Sequence, residues 1–78
     1  MSENVTNIIS KIEKYDEENK TEFAKIVSEK IEKALKFDSA YFRGVVHGTL
    51  LILVSLEVVT RNDAVYIMSV VTPNIEEN

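Results

Sequence analysis

The chain has no cysteine, so no disulfide can brace it and no thiol can serve as nucleophile or metal ligand. Its single histidine, His47, leaves too few soft ligands for a tetrahedral zinc site. Tryptophan is absent, proline occurs once, at Pro73, and glycine twice, at Gly44 and Gly48. Residues 1–43 therefore contain neither of the two strongest helix breakers. Basic charge is also short: 9 Lys and Arg stand against 13 Asp and Glu, for a net charge of −4. Nucleic-acid binders usually carry a basic patch, and here the lysines of the first half alternate with acidic residues. No apolar run is long enough to span a bilayer. The uncharged stretch Gly44–Leu56 falls short of the roughly 20 residues a membrane helix needs.

What is present is 45% hydrophobic residues, concentrated in YFRGVVHGTLLILVSLEVVT, Tyr41–Thr60. As a helix at about 100° per residue, this stretch is apolar nearly all round and must be covered on more than one side. Ala40, Gly44, Gly48 and Ser55 fall on one narrow stripe, with Leu51 beside it. Small residues four apart let another backbone come close. Ala40, Gly44, Gly48, Leu51 and Ser55 are therefore the expected interface residues, for a second subunit or for a neighbouring helix of the same chain. A strand reading competes, because Val45, Val46, Thr49, Ile52, Val54, Val58, Val59 and Thr60 are β-branched. Arg61-Asn62-Asp63 could close a hairpin onto Ala64–Thr72, which would make the fold α+β. Against it, Leu50–Val54 shows no alternation and the run is long for a strand. Helix is favoured.

Upstream, Val5, Ile8, Ile9 and Ile12 recur at helical spacing, and so do Phe23, Ile26, Val27, Ile31, Ala34 and Leu35. Both sets share one face of a single helical wheel, which favours one long helix from about Val5 to Phe37, roughly 50 Å. The doubt lies at residues 16–20, where Asp16, Asn19 and Lys20 would interrupt the apolar face. Asn19 followed by Glu22 also fits the start of a second helix. Asp38 or Ser39 then caps the central helix, which runs to about Val59. Thr60 with Asp63 three residues on marks the start of a last helix, Arg61–Val71, presenting Ala64, Ile67, Met68 and Val71 on one side. The ends, 1–4 and 73–78, are expected to be flexible.

Residue types that carry chemistry are sparse. His47 is the one group that titrates near neutrality in its unperturbed form, but no second polar group is spaced to work with it. Asp38, Ser39 and His47 include the residue types of a catalytic triad without a nucleophile elbow or oxyanion loop. The two glycines lie inside an apolar helix, not in a phosphate-cradling loop. Neither an enzyme nor a cofactor is expected. The acidic run Asp16, Glu17, Glu18 could offer a face to a basic protein partner, although three charges are more often a solvated surface.

The second half of the chain, YFRGVVHGTLLILVSLEVVTRNDAVYI, resembles small accessory proteins of phages and mobile elements in Gram-positive bacteria. The resemblance implies a host-interaction role and brings no site residues with it.

The sequence thus predicts one small all-α domain over residues 1–78. A long first helix packs on the apolar central helix, and a short third completes the set. The central helix, about 30 Å long, cannot cover the first along its length, so an intertwined homodimer is expected. The expected function is a non-enzymatic protein–protein interaction module that regulates or inhibits a host or defence protein. The alternative is a nucleic-acid-associated regulator acting as a dimer, with Lys11, Lys14, Lys25, Lys30 and Lys33 gathered across the subunits. Nothing at the start resembles a secretory signal, so a cytoplasmic location and no membrane partner are expected.

Overall fold

A computed structural model describes residues 3–72, and these form four helices joined by three tight connections. The helices are α1 (Glu3–Asn19), α2 (Phe23–Phe37), α3 (Ala40–Ser55) and α4 (Arg61–Val71). The described residues contain no strand, so Ala64–Thr72 does not pair as a hairpin. The expected long first helix is two helices. Its break is made by Asp16, in the last turn of α1. The Asp16 backbone carbonyl accepts from Lys20 N at 2.7 Å and from Thr21 N at 3.3 Å, and Lys20 turns left-handed at φ 57°. Its carboxylate then reaches forward. Oδ1 accepts from Thr21 Oγ1 at 2.5 Å and Phe23 N at 3.1 Å, while Oδ2 accepts from Ala24 N at 2.8 Å. One side chain thus takes up the unpaired amides that open α2, the task an N-cap residue performs locally. Glu22, at the N-cap position itself, makes no side-chain cap bond.

Breaking there lets α2 fold back on α1. The two apolar sets, in phase on one wheel, meet each other instead of lining one rod. Val5, Ile8, Ile9 and Ile12 of α1 are buried with Ala24, Val27, Ile31 and Ala34 of α2. The expected intertwined dimer rested on a long helix left uncovered, and that helix does not exist. Two of the residues assigned to its apolar face, Ile26 and Leu35, are exposed.

α2 ends on Asp38, left-handed at φ 49°, and the Ser39 hydroxyl caps α3 by accepting from Tyr41 N at 3.2 Å. Arg43 donates to Asp38 Oδ1 at 2.9 Å across this corner. α3 stops at Ser55, short of Val59, because Glu57 adopts φ 61° and the chain turns so that Val59, 4% exposed, enters the core. Thr60 and Asp63 then form the expected capping box, each side chain bonded to the other's backbone N–H at 3.0 Å. α3 packs most extensively on α2 and also on α4. Val46, Leu50 and Leu53 of α3 join Ile67 and Val71 of α4 in the one core. No polar or charged residue is buried among the described residues.

Candidate interaction surface

Helix α3 is buried along Val46, Leu50 and Leu53, and the opposite arc faces solvent. Its exposed residues are Ala40, Tyr41, Gly44, His47, Gly48, Leu51, Ile52 and Ser55. None carries a formal charge. The one charged residue of the helix, Arg43, is half-buried and engaged by Asp38. By contrast, α1 exposes only polar and charged side chains. Large apolar side chains stand well out of the α3 arc: Tyr41 is 67% exposed, Leu51 53% and Ile52 50%.

All five expected interface residues, Ala40, Gly44, Gly48, Leu51 and Ser55, lie on this arc. The two glycines do not mediate a helix contact within the chain. A Cβ built on Gly44 or Gly48 would have nothing within 4 Å beyond the helix's own backbone. Both glycines have negative φ, so no backbone conformation requires them either. Glycine inside a helix costs about 0.5–1 kcal/mol relative to alanine. Meanwhile three positions where glycine would relieve strain are occupied by Lys20, Asp38 and Glu57, all left-handed. A local rule broken without an internal reason is characteristic of a working surface.

Beside the arc, α3 and α4 enclose an apolar groove of about 470 Å³, floored by Leu50, Val54, Ala64 and Met68. Leu51 and Val65 line it too, and Val65 is 62% exposed. The polar residues that line it are His47 and Arg61. Sequence spacing placed Leu51 on the outward arc of α3 but missed Ile52 and Tyr41. Their outward position depends on which side of α3 receives α2 and α4, and an all-apolar helix gives no sign of that.

Asp16, Glu17 and Glu18 are placed differently. Asp16 is half-buried and fully engaged in joining α1 to α2. Desolvation raises its pKa, but hydrogen bonds from Thr21, Ala24 and Phe23 together outweigh this and hold it below the ordinary 3.8. Glu17 and Glu18 are exposed, and Glu17 lines a broad hollow shared with Glu13, Glu22, Lys14 and Lys25. Charges of both signs meet there. Of the lysines considered for phosphate contact, Lys11 is paired with Asp63, and Lys30 and Lys33 lie 5.5 and 5.7 Å from the centre of the Phe42 ring. Among the described residues no group of three or more His, Asp or Glu side chains could hold a metal ion. None of their helices is long and apolar enough to cross a membrane. No family model, curated protein or solved structure matches the chain.

Proposed function

We propose that this chain is a non-enzymatic protein-interaction module working through the outward arc of α3 and the α3–α4 groove. The observation that carries this reading is the absence of charge from every exposed residue of α3 in a chain that is 28% charged. Contiguous exposed apolar surface on a small protein marks a binding site more often than an accident of folding, and exposed aromatic and aliphatic side chains with few charged neighbours are typical of the core of an interface. A role in regulating or inhibiting a host or defence protein, as an accessory of a phage or mobile element, is the biological setting suggested by the sequence resemblance.

The test is site-specific photo-crosslinking in the cells of origin. A photoreactive residue at Ile52 should give discrete adducts, and one at Glu18 should not. An Ile52 probe that forms no adduct, or the same adducts from Glu18, would remove the α3 face from consideration.

A further inference from the structure

We propose that the corner where α2 meets α3 binds single-stranded nucleic acid, with bases stacked on Phe37 and Tyr41 and phosphates held by Lys30, Lys33 and Lys36. The site goes beyond the interaction reading of α3 and shares only Tyr41 with that surface. The connection at Asp38 and Ser39 brings three rings together. Phe37 and Tyr41 each lie against Phe42, with ring centres 6.2 and 5.2 Å from it. Phe37 is 58% exposed and Tyr41 67%, so both keep surface open to solvent. Lysine ammonium groups gather on the same rings, Lys30 and Lys33 at 5.5 and 5.7 Å from the centre of Phe42 and Lys36 at 5.4 Å from that of Phe37. Energetically significant cation–ring contacts occur roughly once per 70–80 residues, and here three converge on one corner. Glu29 and Glu32 stand four residues before Lys33 and Lys36, where they could pair with them on the helix surface. Yet the ion pairs among the described residues join Lys11 to Asp63 and Arg43 to Asp38, which leaves all three ammonium groups on the rings.

Charge is divided along the chain in the same sense. Residues 30–43 hold Lys30, Lys33, Lys36 and Arg43 against Glu32 and Asp38, a positive excess within a chain whose net charge is −4. The acidic run Asp16–Glu18 lies beyond the opposite end of α2. Its 15 residues span about 22 Å, more than twice the screening length of roughly 8 Å at physiological salt. An open ring beside an ammonium group without a carboxylate is the combination on which unpaired bases and their phosphates bind. A duplex keeps its bases stacked inside and could use the lysines alone. An anionic bilayer also takes aromatic and basic side chains together. However, Glu32 shares a hollow with Lys33, Lys36 and Phe37. A broad anionic plane would press on that carboxylate, whereas a flexible strand can pass beside it.

Fluorescence anisotropy of a labelled oligothymidylate, titrated with the full chain, tests the site. Binding should saturate at about 50 mM salt, and raising the salt to about 200 mM should weaken it roughly 20-fold for three neutralised phosphates. Phe37→Leu and Tyr41→Leu should each weaken it about fivefold or more, with circular dichroism unchanged because both positions are exposed. Lys33→Gln should lower the salt slope by about 0.7. Lys25→Gln, exposed near the start of α2, should leave affinity and slope nearly unchanged, and an equal loss there would overturn the location. No anisotropy change with the chain at millimolar concentration would overturn the proposal. So would full binding by both ring variants, which would reduce the contact to charge alone. Phosphatidylserine vesicles should not compete with the oligomer, and binding to vesicles in its place would overturn the nucleic-acid assignment in favour of a membrane.

Discussion

Lys11 Nζ lies 2.5 Å from Asp63 Oδ2 and joins α1 to α4 across 52 positions of sequence. The same carboxylate oxygen accepts the Thr60 backbone N–H of the capping box. The two residues are therefore unequal. Lys11 is half-exposed and supplies a surface ion pair of about 0–1 kcal/mol. Asp63 supplies that pair and one arm of a helix cap, so Asp63→Ala should cost about 1–2 kcal/mol and Lys11→Met about 0.5 kcal/mol. Urea unfolding of both variants checks the order, and equal losses would contradict it.

Acid should loosen the fold at two joints. Desolvation raises the Asp63 pKa, but Lys11 and the Thr60 bonds outweigh it and hold it below 3.8, as the three hydrogen bonds do for Asp16. A carboxyl with a depressed folded pKa contributes stability that is fully present above its unfolded value and is lost as pH falls through the folded value. Stability should thus be level near neutrality and decline below about pH 4, starting from the ordinary 3.8. Asp16→Ala should cost about 1–2 kcal/mol at pH 7 and make the acid decline shallower. Thermal unfolding followed from pH 7 to pH 2 measures both.

The two glycines give a prediction of opposite sign. Because nothing lies near their Cβ positions, Gly44→Ala and Gly48→Ala should each stabilise the dilute monomer by about 0.5–1 kcal/mol. For a chain of this size that corresponds to several degrees in Tm. A loss of stability at low concentration would mean that a helix of the same chain approaches them after all.

Glycine is absent where the backbone would welcome it. Lys20 and Glu57 hold φ of 57° and 61°, a region that costs most L-residues roughly 1 kcal/mol or more. Lys20→Gly and Glu57→Gly should therefore stabilise the fold, by up to about 1 kcal/mol each after the greater chain entropy of glycine is set against the gain. Chemical denaturation of single variants would reveal a wrong sign.

Leu53 is fully buried at the centre of α3. Leu53→Ala should cost about 2–5 kcal/mol, a large part of the total for a domain this small. The charge reversal Glu17→Lys/Glu18→Lys, on exposed positions, should leave helicity and melting nearly unchanged. Circular dichroism distinguishes the two cases directly.

The helical class, the whole of α4 and its capping box were readable from residue types, because Thr60 and Asp63 act on neighbours three positions away. The β-branched residues that spoke for a hairpin lie in an apolar run too long and too unalternating for a strand, and that run favoured helix correctly. The break between α1 and α2 was half-readable. Asn19 and Glu22 drew attention to the right place, yet the cap is Asp16, acting on Phe23 and Ala24. A side chain that works seven and eight positions ahead has no counterpart in the local patterns by which helix starts are recognised. The small-residue stripe of α3 was visible as a spacing, but whether it faced in or out was not. That depended on α2 and α4 taking the other sides of α3, and a helix apolar on all sides offers no preference.

Because Asp16 belongs to one helix and holds the first amides of the next, neither end can fray alone. Melting the last turn of α1 strips Phe23 N and Ala24 N of their acceptors, and unwinding the start of α2 leaves the carboxylate with nothing to grip. The hinge between the first two helices thereby opens as one cooperative unit. Its amides should take up deuterium in step, although they lie on separate rods.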